Sequence, residues 1–199
     1  MNAVPGPSQS GTSLHSKPCV FFDASQGVHW GEGTDPLLQA MTTLNDAPKW
    51  LLPSLTVNVS HPDALLTWIN TNNAALITEL FIYCPATDDA PTTHAWCQLF
   101  DKLSREATNI QDLQVYWDWD HESTAPTMPG LGKSLTFVRA LGALRVKGNL
   151  TICGFYAKHW PMYLSSRIGT PPYNPQIGNG SEWEMTLERY QVGTEGLIP

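Results

Sequence analysis

Leu113-Gln-Val-Tyr-Trp-Asp-Trp119 decides the fold. Its odd positions (Leu113, Val115, Trp117, Trp119) are apolar, while its even positions (Gln114, Tyr116, Asp118) are polar or amphipathic. Strict alternation of β-branched and aromatic residues predicts a strand with one face in a core. The same pattern recurs on both sides, in Leu55-Thr-Val-Asn-Val59, Leu80-Phe-Ile-Tyr-Cys84 and Leu150-Thr-Ile-Cys-Gly-Phe-Tyr156. Each begins Leu-x-[Val/Ile], so Leu55, Leu80, Leu113 and Leu150 read as equivalent strand positions at uneven spacing.

Helical patterns fill the intervals. One starts at Pro62 and carries Leu65, Leu66, Trp68 and Ile69. Another places Trp96, Leu99, Phe100 and Leu103 at i, i+3, i+4 and i+7, after a cap expected at Thr92 or Thr93. A third follows Ser134 and carries Leu135, Val138, Leu141 and Leu144; a fourth starts near Pro161, carries Leu164 and Ile168, and stops at Gly169. Strand and helix in alternation predict parallel strands joined by helical crossovers. A doubly wound sheet needs strands apolar on both faces. Here the second face is mixed: Thr56, Asn58, Phe81, Tyr83, Gln114, Tyr116, Asp118, Thr151, Cys153 and Phe155. The predicted fold is therefore α/β: a short, irregular leucine-rich-repeat-like arc of parallel strands with helices on one face.

Residues 1–18 are rich in Pro, Gly and Ser and read as a disordered arm; residues 19–199 read as a single α/β domain. Within it, Cys19–Asp23 is a short strand, 27–33 a Gly-rich loop, and Pro36–Leu44 a helix capped by Asp35. At the far end, Thr170–Ser181 reads as a loop and Glu182–Gln191 as a helix capping the last repeat.

Composition narrows the function. Eleven Lys and Arg against 18 Asp and Glu give a net charge of −7, which argues against binding a nucleic-acid backbone or an anionic membrane. No apolar run approaches a membrane span, and the amino-terminal arm is not an export signal. Cytoplasmic placement is the expectation, with the nucleus as the alternative. The four cysteines are scattered and read as reduced thiols, and the Asn58, Asn149 and Asn179 sequons as chance matches.

From Leu55 to Gly169 the chain resembles uncharacterised fungal proteins related to F-box-like leucine-rich-repeat proteins. The likeness rests on Asp63-Ala-Leu-Leu-Thr-Trp68, Ile77-Thr-Glu-Leu-Phe-Ile82, the strand from Leu113 to Asp118, and Phe137-Val-Arg-Ala-Leu141 through Gly154-Phe-Tyr-Ala-Lys-His-Trp160-Pro. It implies a repeat fold, and it carries no catalytic residues. The Leu-Pro-x-Glu-[Ile/Val]-Arg segment with which such relatives begin is missing, so adaptor function in ubiquitin ligases is not carried over.

Most groups able to carry chemistry also have a plain structural role open to them. Gly130-Leu-Gly-Lys-Ser134 resembles the end of a phosphate loop, but Thr127 stands where that loop needs glycine, so a serine-capped helix start is the reading. Asp118, Asp120, His121 and Glu122 could line a pocket for a small molecule or a small enzyme, which is the alternative functional reading. The six histidines are dispersed, and Cys153 has no partner in sequence that would activate it. No cofactor or metal motif is present. The main expectation is a non-enzymatic interaction module that binds an unidentified protein partner on its exposed strand face, through Phe81, Tyr83, Gln114, Tyr116, Asp118 and Phe155; the competing structural reading is that residues 19–50 cover this face and make it core.

Overall fold

A computed structural model describes residues 17–44, 52–85, 89–118, 130–154, 156 and 160–169. In chain order these form β1 (Cys19–Asp23), β2 (Gly27–Trp30), α1 (Pro36–Thr42), β3 (Leu55–Val59), α2 (Pro62–Ile69), β4 (Ile77–Cys84), α3 (Ala90–Glu106), β5 (Asp112–Trp117), α4 (Gly130–Lys133), α5 (Leu135–Leu141), β6 (Asn149–Gly154) and α6 (Trp160–Ile168). The strands make one sheet in the order β2-β1-β3-β4-β5-β6. Only β1 and β2 run antiparallel; every other pair is parallel. The predicted residues 1–16 of the arm and the predicted elements after Gly169 lie outside the described residues.

Burial follows the alternation. Val20, Phe22, Leu55, Val57, Val59, Leu80, Ile82, Leu113, Val115, Trp117 and Ile152 are buried, and they share one core with Leu65, Trp96, Leu99, Phe100, Leu103, Phe137, Val138, Leu141 and Leu164 of the helices. Helix α2 packs on α3, α3 on α5, and α5 on α6. Each crossover shifts one strand further in the same direction, and right-handed crossovers of that kind place their helices on the same side. Trp96, Phe100 and Trp117 surround Phe137 with ring centroids 5.2–6.2 Å apart. Burying each such ring contributes on the order of 2–3 kcal/mol.

Four details differ from the sequence reading. The segment from Gly27 to Trp30 is a strand, not a loop. A tight turn precedes it, in which the Asp23 carboxylate accepts hydrogen bonds from the backbone N–H groups of Ser25 (2.9 Å) and Gln26 (2.6 Å). Helix α3 begins at Ala90, two residues before the expected cap, because Asp89 accepts from the Thr92 N–H at 2.6 Å and Pro91 suits the first turn. The helix after Ser134 ends at Leu141, where the Gly142 N–H bonds back to the Val138 carbonyl at 2.9 Å; Leu144 is buried beyond it.

The fourth concerns register. Strand β4 starts at Ile77 rather than Leu80, and a bulge falls between the pairs Leu55–Ile77 and Thr56–Glu79. Leu80 therefore aligns with Val57, Leu113 and Leu150, while Leu55 faces Ile77. Leu55 is not the equivalent of the other three leucines.

Strand β6 closes on β5 at Gly154, whose φ is +87°. A Cβ at that position would lie 1.9 Å from the Trp117 carbonyl oxygen. Gly154→Ala combines a disfavoured backbone conformation with a backbone collision, and we expect a loss of about 3 kcal/mol or more in urea unfolding. Ala substituted at exposed Gly33, where no atom lies within 4 Å, carries the positive-φ strain alone and should cost less.

Candidate binding face

The strand residues of the other parity form the opposite face. The register lines up Phe21, Asn58, Phe81, Gln114 and Thr151 across five strands, with Tyr83, Tyr116 and Cys153 in a second row toward the carboxyl ends. His29 of β2 extends the first row beside Phe21. All of these side chains are partly exposed, and Tyr83 is 40 % exposed. Within the amino-terminal segment, β1 and β2 widen the sheet beyond β3.

Five of the six expected site residues, Phe81, Tyr83, Gln114, Tyr116 and Asp118, come together here. Phe155 lies outside the described residues, as do Asp120, His121 and Glu122 of the alternative pocket. The Tyr83 and Tyr116 rings stack at 5.3 Å with an 11° interplanar angle. The Tyr83 hydroxyl donates to the Asp118 carboxylate, and the Asp118 N–H donates to the Cys84 carbonyl at 2.9 Å, which continues the ladder one residue past β5. Burial, then the hydrogen bond to Asp118 and its charge, push the Tyr83 phenol well above its ordinary value. Tyr116 is pushed up to about 12, by burial first and then by the charge of Asp118.

A cleft of about 430 Å³ opens on this face at the carboxyl ends of β1, β3, β4 and β5. Phe21, Phe81, Tyr83 and Tyr116 supply its aromatic lining; Asp23, Asn58 and Gln114 supply polar groups. Sequence reasoning missed Phe21 and Asp23. Their signal was the alternation in Cys-Val-Phe-Phe-Asp, where Val20 and Phe22 point to the core and Phe21 does not, but nothing in sequence showed that this strand joins β3. Asp23 is held below the usual carboxylate range, chiefly by the Gln26 N–H, and its Oδ2 lies 3.4 Å from His29 Nδ1. His29 stacks on Phe21 at 5.1 Å.

Toward the amino ends of the strands the face turns polar. Glu79 accepts from the Thr56 hydroxyl at 2.8 Å and pairs with Lys17, which lowers its pKa. The Cys153 thiol is pushed up by burial, the reverse of the shift that activates a nucleophile. Gly132 of the phosphate-loop-like segment is buried and accepts the Trp160 indole N–H at 2.7 Å, so it serves as a packing point between α4 and α6. Among the described residues, no three His, Cys, Asp or Glu side chains group to hold a metal ion, and no helix is long and apolar enough to cross a membrane.

The raised phenols have a measurable consequence. An unfolded tyrosine loses its proton near pH 10, whereas Tyr116 in the fold keeps it to about 12. In that window the unfolded chain binds fewer protons, so stability falls as pH rises from 10. Ultraviolet titration should show two tyrosines ionising late, and Asp118→Asn should bring Tyr83 part of the way down, leaving the contribution of burial. Ordinary titration of both rings would contradict the stacked, carboxylate-linked arrangement. Comparisons of the chain with protein-family models, curated proteins and solved structures gave no match.

Proposed function

We propose that this chain is a protein-interaction module that docks a partner on the strand face centred on Tyr83 and Tyr116. The observation that carries the reading is the stacked pair itself: two amphipathic rings, fixed by cross-strand register and by Asp118, with Tyr83 40 % exposed. Rigid aromatics of this kind lose little side-chain entropy on binding and dominate interface energetics. Consecutive parallel strands, each followed by a helix, also support reading the fold as a short leucine-rich-repeat-like arc that uses its sheet for recognition.

The volume of the cleft favours a second reading, a small-molecule site, since about 300–1,000 Å³ is usual for such pockets. Its described lining runs from Phe21 and Asp23 of β1 to Gln114 and Tyr116 of β5.

Affinity capture from the source cells, quantified by mass spectrometry, tests the docking reading. Tyr83→Ala with Tyr116→Ala should weaken capture of a specific partner about thirtyfold, the effect of losing a hot spot of roughly 2 kcal/mol. Met162→Ala, at an exposed position of α6, should leave recovery unchanged. Equal recovery with the folded double variant and the parent would overturn the docking reading, and a small molecule that protects both tyrosines would replace it with the second.

A further inference from the structure

The cleft has a chemical bias beyond its shape. Four aromatic side chains, Phe21, Phe81, Tyr83 and Tyr116, line it. Carboxylates stand at two of its sides: Asp23 lines it at the β1 end, and Asp118 holds the Tyr83 hydroxyl at the β5 end. Asn58 and Gln114, paired through Phe81 across β4, add side-chain amides between them. Among the described residues that line it, none is Lys or Arg. The whole chain carries a net charge of −7. An aromatic cleft flanked by carboxylates, without a resident cation among those residues, is complementary to a cation that also has an apolar stem.

Resting on the docking reading, we propose that the cleft receives an arginine side chain of the partner protein, its guanidinium stacked on the tyrosine rings and directed at Asp23. Arginine fits better than lysine, because a flat guanidinium stacks on aromatic faces and donates in-plane to carboxylate and amide oxygens at once. Asp23 already accepts from the turn at Ser25 and Gln26 through Oδ1. Its Oδ2 faces His29, whose Nδ1 lies 3.4 Å away.

Three blocked tripeptides test this, Gly-Arg-Gly, Gly-citrulline-Gly and Gly-norleucine-Gly, titrated to millimolar concentration into the full chain and followed by backbone amide shifts. The arginine peptide should move amides of residues 21–23, 58–60, 81–83 and 114–116, and bind about three- to thirtyfold more tightly than the isosteric but neutral citrulline peptide. Asp23→Asn, which keeps a turn acceptor, and Phe81→Leu, which keeps bulk but removes the ring, should each weaken the arginine peptide and leave thermal unfolding near that of the parent. Equal binding of citrulline or norleucine, or no shift with any peptide, would overturn the arginine proposal. Partner capture separates the two readings. Recovery lost in the Tyr83/Tyr116 double variant but intact in Asp23→Asn and Phe81→Leu would leave the docking face standing and remove the arginine.

Discussion

The bulge at Thr78 fixes which side chains face the core and which face the cleft. Strand parity is unforgiving: a one-residue slip exchanges every inward residue for an outward one. Strands β3 and β4 meet at Leu55 and Ile77, and simple continuation would set Glu79 and Phe81 beside Val57 and Val59, inside the core. Instead one extra residue is absorbed, with the Thr78 hydroxyl donating to the Leu55 carbonyl at 3.3 Å and the Thr78 carbonyl accepting the Gln111 N–H at 2.7 Å. Leu80 and Ile82 thereby join the core, while Phe81 falls beside Asn58 and Tyr83 beside Tyr116. The aromatic cleft and the apolar core are two results of the same local irregularity.

The open face then poses a problem that parallel sheets rarely meet, since most are covered on both sides. Large rings left toward water are unfavourable unless they shield one another. Phe21 stacks on His29 and Tyr83 on Tyr116, so each ring covers part of its neighbour along the hydrogen-bonding direction. Hydrogen bonds from Tyr83 to Asp118 and from Thr56 to Glu79 tie polar groups across strands on the same face. The result is a pre-ordered surface, with side chains held by register rather than by loops.

Much of this is legible in the amino-acid order alone. Alternation in Leu113–Trp117 and its three counterparts marks the strands, and the i, i+3, i+4, i+7 set at Trp96 marks the longest helix. The two faces separate because Leu113, Val115 and Trp117 contrast so plainly with Gln114 and Tyr116. What escapes is non-local or subtle. The strand from Gly27 to Trp30 has two faces, Trp30 toward the core and His29 toward Phe21, but four residues are too few for a period to show. The bulge leaves no mark in the sequence, because Ile77-Thr-Glu-Leu80 reads equally well as the end of a loop. Phe21 enters the cleft only through the pairing of β1 with β3, a contact spanning more than thirty residues of chain.

Several of the groups that could carry chemistry are engaged structurally. Asp23 closes a turn, Asp89 caps a helix, Glu79 holds Lys17 and Thr56, and the thiols of Cys19, Cys84, Cys97 and Cys153 are all raised by burial. Asp23 and Glu79, both held below the usual carboxylate range, therefore act at this face as fixed negative charges rather than as groups poised to exchange protons near neutrality. Fixed charge beside immobile rings suits recognition, in which a preorganised surface keeps the entropic cost of binding low. A cation with an apolar stem satisfies both features together, whereas a purely apolar side chain would desolvate the Asp23 charge with no added cation to offset the cost.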